Sequence, residues 1–157
     1  MRWRVAAALG AKKDEGLLGE INASAPKRSK ASDGSIGDPK HAGRSSDHNP
    51  CACCGVVTAR DFTHDPAGGF DAHLFADWLM ERCRLGQEPR VKYVISRRRI
   101  ASGQGQAHPA GVWRPYKGTN PHEKHVHVSV RHEHAFCDDT HKWRWFPNGA
   151  TLIGVGA

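Results

Sequence analysis

No run of apolar residues in this chain approaches the roughly 20 that a helix needs to cross a bilayer, so a helical membrane span is not expected. The nearest candidate starts at Val5 and ends at Ala11, behind Arg2 and Arg4. It has the outline of a signal peptide, but its apolar part is at the short limit, and Lys12, Lys13, Asp14 and Glu15 follow at once. It reads instead as the first turns of an amphipathic helix over residues 3–21, weakened by Gly10, Gly16 and Gly19. The chain then has no clear export signal and is made in the cytoplasm. A complete disulfide framework is not expected either, because five cysteines are an odd number. Cys51, Cys53 and Cys54 crowd one loop, and no second pair completes a Cys-type zinc finger, so the thiols read as buried or incidental. Acidic residues are in short supply: 16 Asp and Glu against 23 Lys and Arg, a formal charge of +7. That balance favours polyanionic partners, either nucleic acid or a bacterial wall carrying anionic polymers, and does not choose between them.

What is present fits one domain over all 157 residues, long enough to bury a core without disulfides. Residues 23–50 carry loop chemistry, rich in Ser, Gly, Asp, Asn and Pro. A long irregular stretch of this kind is functional or disordered. Residues 55–62 read as a strand, led by Val56, Val57 and Thr58. The spacing of Phe70, Leu74 and Trp78, with Phe75 and Leu79 beside them, predicts a core helix over residues 71–82. Further strands are expected at 91–96 and 125–131, with Arg97, Arg98 and Arg99 at a strand end or turn and a loop over 103–111. There is no internal repeat. The mixture predicts an α+β fold: a small antiparallel sheet flanked by helices.

The strongest chemical signal is Asn120-Pro121-His122-Glu123-Lys124-His125-Val126-His127-Val128-Ser129-Val130. Alternate residues of a strand share a face, so Val126, Val128 and Val130 point into a core while His125, His127 and Ser129 point the other way. Two imidazoles then stand about 6.7 Å apart along the strand. Both suit one metal, or one ligates while the other acts on substrate; strand geometry leaves this open. Catalytic zinc takes three protein ligands and a water. Ser46-Asp47-His48-Asn49-Pro50 offers a histidine in a polar loop, and Ala59-Arg60-Asp61 a carboxylate at the end of an apolar strand. His64 is a reserve ligand; His134 and His141, among eleven histidines, have nothing near them with ligand spacing.

The pattern Ser-x-His, then Gly…Ala-x-Asp, then His-x-x-His-x-His resembles the zinc D-Ala-D-Ala metallopeptidase family. That family comprises peptidoglycan carboxypeptidases and phage endolysins, and it shares its zinc core with lysostaphin-type enzymes and the hedgehog domain. The resemblance runs from His41 to Arg131 and is most specific over residues 120–130. It implies that the small sheet carries one zinc ion per chain on His48, Asp61 and His127. His122 and His125 then surround the reacting centre as catalytic groups, and an upstream arginine, Arg28 or its rival Arg44, binds substrate. One departure is that residues 49–60 separate His48 from Asp61, a longer spacing than the family uses; a loop insertion between ligands is thermodynamically tolerable.

The implied chemistry is metal-assisted hydrolysis of amide bonds in the peptide part of peptidoglycan. Zinc activates water and polarises the scissile carbonyl, and a side chain moves the proton. His125 is expected in that role, with His122 assisting, because Pro121 marks irregular backbone around Glu123. The expected protein is a monomer that meets an anionic wall after release from a cell, as phage enzymes do, or after export by another route. Two rival readings are a His-metal nuclease and a wall-binding module without catalysis, the latter drawing on Trp143, Trp145 and Phe146. Against the nuclease, the histidine strand is not followed by the helix of a ββα site, and nucleic acid is the less expected partner.

Overall fold

The strands expected at 91–96 and 125–131 are central neighbours in one sheet. The computed structural model describes residues 3–35, 46–51 and 55–146. Its first elements are β1 (Arg4–Val5), α1 (Gly16–Ser24), β2 (Val56–Val57), β3 (Ala59–Thr63) and α2 (Ala72–Arg84). Then follow β4 (Val91–Ser96), β5 (Arg99–Ser102), β6 (Arg114–Pro115), β7 (His125–Val130) and the short α3 (His134–Cys137). The main sheet is antiparallel in the order β3-β7-β4-β5-β6, and β1 and β2 form a small parallel ladder. This is an α+β architecture. No helix among the described residues is long and apolar enough to cross a membrane.

The alternation in β7 organises the centre. Val126, Val128 and Val130 are fully buried in the core with Phe62, Phe75, Leu79 and Val94. Each such burial contributes about 1.5–3 kcal/mol, and a slip of one residue would turn the valines out and the histidines in. α2 supplies the covering layer. Asp71 caps it, its Oδ1 accepting from His73 N at 3.0 Å and Leu74 N at 2.9 Å, while Arg82 and Arg84 suit the negative end of its dipole. Its buried stripe is Ala72, Phe75, Ala76, Leu79, Met80 and Cys83 together with Trp78; Leu74, expected in the stripe, is 42% exposed.

The amphipathic helix expected over residues 3–21 is corrected. β1 occupies its start, residues 7–15 turn, and only Gly16–Ser24 is helical. Gly10 has φ +97°, and a Cβ there would meet the Glu15 carbonyl oxygen. Val5, Ala6, Ala8 and Leu9 are core residues. Cys51 is disulfide-bonded rather than an incidental thiol, whereas Cys83 and Cys137 are buried, as expected. Cys53, Cys54 and Arg44 lie outside the described residues. Trp143 and Trp145 pack on the core and only Phe146 is exposed, which removes most of the aromatic surface that a glycan-binding reading would use.

Candidate metal centre

Strand pairing builds the site. β3 lies beside β7 with Asp61 opposite His127 and Thr63 opposite His125, so a carboxylate and two imidazoles rise from adjacent strands. Asp61 is the middle residue of β3, not its end. His48 arrives on a loop whose closure explains the long spacing to Asp61. Cys51 N donates to Val56 O and Gly55 N to Cys51 O, which sets Cys51 beside the start of β2, and Thr58 N donates to Asp47 O at 3.2 Å. The insertion therefore begins and ends at the site.

Three atoms converge there. His48 Nε2 lies 3.0 Å from His127 Nδ1 and 3.3 Å from Asp61 Oδ1, and His127 Nδ1 lies 3.2 Å from the same oxygen. A tetrahedral zinc with bonds of about 2.0–2.1 Å holds its ligands about 3.4 Å apart, close to these separations. Asp61 Oδ1 is buried and has no hydrogen-bond partner of good geometry. His48 Nδ1 faces the Ser35 carbonyl at 2.9 Å and must donate to it, so a neutral His48 turns its Nε2 lone pair inward. The residues present fit a divalent cation. His48, Asp61 and His127 form a group that could hold one, and the partial exposure of His48 and Asp61 leaves that side open to solvent.

Electrostatics follow from the same packing. Burial would raise the Asp61 carboxyl pKa, but the imidazoles of His127 and His48 outweigh it and hold the group well below the usual carboxylate range. Burial lowers His127, with Asp61 only partly compensating. His48 is raised, because Asp61 and the Ser35 carbonyl overcome its desolvation.

A polar cluster behind His127 was not legible in the sequence. His127 Nε2 lies 2.8 Å from Ser129 Oγ, and the Tyr93 hydroxyl stands near both Ser129 and Asp47. Asp47, next to His48 in sequence, is paired with Lys92 Nζ at 3.0 Å. With His127 Nε2 donating to Ser129 Oγ, the Nδ1 lone pair is left for a metal. Tyr93 stacks on His127 with centroids 5.2 Å apart, and burial pushes its hydroxyl pKa up to about 12, keeping it a donor. Tyr93→Phe keeps the stack and removes the hydroxyl beside Ser129. We expect zinc affinity to fall about 10–100-fold, read by competition with a chromophoric chelator, in a protein of unchanged circular dichroism. Unchanged affinity would show that this hydroxyl does not orient the ligand.

His122 and His125 stand beside the three. His125 Nε2 is 3.4 Å from Asp61 Oδ2, and the His122 and His125 ring centroids are 4.9 Å apart. His122 Nδ1 donates to the Asn120 carbonyl at 2.7 Å, which leaves its Nε2 lone pair free. Burial, with the like charges of His127 and His125, pushes the His122 pKa down to about 4. Its backbone has φ +58° and is held by the β4–β5 turn, where Arg97 N donates to His122 O and Arg98 N to Pro121 O.

Other expected site residues lie elsewhere. The Arg28 guanidinium is fully enclosed, forked onto Asp33 at 2.6 and 2.8 Å and bonded to Asn22 at 2.8 Å. It has no exposed surface with which to bind substrate. The reserve ligand His64 accepts from Ala72 N at 3.1 Å at the start of α2 and belongs to no metal-holding group among the described residues. Glu123 is exposed and paired with Arg98 at 2.9 Å. No family model, curated protein or solved structure matches this chain.

Proposed function

We propose that this chain is a zinc peptidase that hydrolyses amide bonds in the peptide part of bacterial peptidoglycan. The observation that carries the reading is the convergence of His48 Nε2, Asp61 Oδ1 and His127 Nδ1 within 3.0–3.3 Å, with two further imidazoles alongside. A donor set of two imidazoles and one carboxylate suits zinc and leaves a fourth position for water or substrate. Zinc bound there would supply a nucleophile at neutral pH and polarise a carbonyl. The chain's own residues do the rest. His125 takes the proton of the attacking water and returns it to the leaving amine, and His122, neutral near pH 7, accepts a hydrogen bond at Nε2. The resemblance of the motifs to wall peptidases supplies the substrate class. The charge of +7 supports residence on an anionic wall, reached after release or export.

The test pairs two substrates. Purified peptidoglycan should yield new amino and carboxyl ends within its stem peptides by mass analysis, and a zinc chelator or His127→Ala should abolish them. Plasmid DNA in the same buffer should stay supercoiled. Metal-dependent nicking that His127→Ala removes would instead make the nuclease reading correct.

A further inference from the structure

We propose a second, weaker divalent-cation site formed by Asp61 Oδ2, His122 and His125, whose occupation inhibits the enzyme. The inference rests on the reading of His48, Asp61 and His127 as ligands of the first ion.

The Asp61 carboxylate is divided between two groups of imidazoles. Oδ1 faces His48 and His127, while Oδ2 faces His125 Nε2 at 3.4 Å. A carboxylate in that position can bridge two cations, as in two-metal sites with ions about 3.5–4 Å apart. Asp61, His122 and His125 each offer a ligand atom within 4.8 Å of the others.

His125 supplies a second observation. Both of its ring nitrogens are buried and neither has a hydrogen-bond partner. Leaving such groups unsatisfied costs about 1–3 kcal/mol each and calls for an explanation. A bound cation satisfies Nε2 directly. His122 is prepared for the same role, since its donation to Asn120 O turns the free Nε2 lone pair away from that carbonyl. Its left-handed backbone, rare for a side chain of this size, is pinned by Asn120 Oδ1 on its N–H at 3.0 Å and by Arg97 N on its carbonyl.

The order of filling follows from geometry and charge. The first group has its three ligand atoms 3.0–3.3 Å apart, near the zinc spacing, whereas in the second Asp61 Oδ2 and His125 Nε2 stand 3.4 Å apart with a ligand atom of His122 within 4.8 Å. Both share one carboxylate, so a second cation is repelled by the first at short range. Once bound, it occupies the lone pairs of His125, which moves the proton, and of His122, which assists. Zinc beyond one equivalent therefore lowers turnover.

Equilibrium dialysis of the full chain against rising free zinc, with elemental analysis, tests this. Wild type should bind two equivalents, the second more weakly, and turnover should fall as the second binds. His125→Ala and His122→Asn should each keep the first equivalent and lose the second; asparagine tolerates the left-handed backbone. Retention of the first equivalent reports that each variant is folded. One equivalent in wild type at saturation overturns the proposal, as does a second that survives in both variants or that His134→Ala removes from the group of His134, Cys137 and Asp138. Loss of both equivalents in His125→Ala and His122→Asn also overturns it. Two equivalents with the expected losses, but intact peptidoglycan, would overturn the peptidase reading and leave the second site standing.

Discussion

His127→Ala is expected to emerge from purification without zinc, while His125→Ala keeps its tight equivalent and loses turnover by about 10²–10⁴-fold. The two residues are equivalent by strand alternation, and their surroundings separate them. His127 is 4% exposed, its Nδ1 stands 3.0 Å from His48 Nε2 and 3.2 Å from Asp61 Oδ1, and its Nε2 is engaged by Ser129. Removing it takes away a third of the ligand set. His125 faces the other oxygen of Asp61 and leaves the first three atoms intact when truncated. Zinc content and peptide cleavage should be measured on both variants in one buffer. A metal-free His125→Ala beside a zinc-loaded His127→Ala would reverse the roles. Loss of zinc from both would make the imidazoles joint ligands and move the proton transfer to His122.

Asp33→Ala should destabilise the protein by about 3–5 kcal/mol, because it strands the enclosed Arg28 guanidinium without its counter-charge. Asp33 Oδ1 also accepts from Thr63 N and from Thr63 Oγ1, both at 2.7 Å, so the pair clamps the segment before the site onto β3. Urea denaturation at neutral pH reads the loss. The pH dependence has a definite sign. Burial would raise the Asp33 pKa, but Arg28 and the Thr63 bonds more than offset it and the folded value is depressed. Its stabilising contribution is therefore complete above the unfolded value of about 3.9 and disappears as pH falls through the lower folded value. Asp33→Ala should lack that acid-side decline. An unchanged midpoint at pH 7 would show that the pair is not structural and would return Arg28 to consideration as a substrate residue.

Periodicity alone determined the elements whose side chains face one way for one reason. β4 spans Val91–Ser96 as the pattern predicts, and β7 follows from valines that can be buried only with the histidines on the other face. α2 was legible for the same reason, apart from the direction of Leu74. The start of the chain was not. Its alanines suit a helix locally, but long-range bonds, Arg4 N to Gly55 O and Ala8 N to Cys137 O, hold it in other conformations. The sequence also contained the residue types of the site, since His48, Asp61 and His127 stand in recognisable local patterns. It could not bring them together: 78 intervening positions separate residues 48 and 127, and only the β3–β7 register sets Asp61 opposite His127. Arg28 shows the converse. An exposed arginine and an enclosed one look alike in sequence, and only the fold supplies Asp33 as the partner that removes it from solvent. Tyr93 lies in a strand to which the sequence assigns no chemical role, and its place depends on Ser129 and Asp47 standing near its hydroxyl from two other segments. Local pattern selects the atoms suited to the chemistry, and tertiary packing decides which of them share a proton or a metal, because both interactions act over about 2–3 Å.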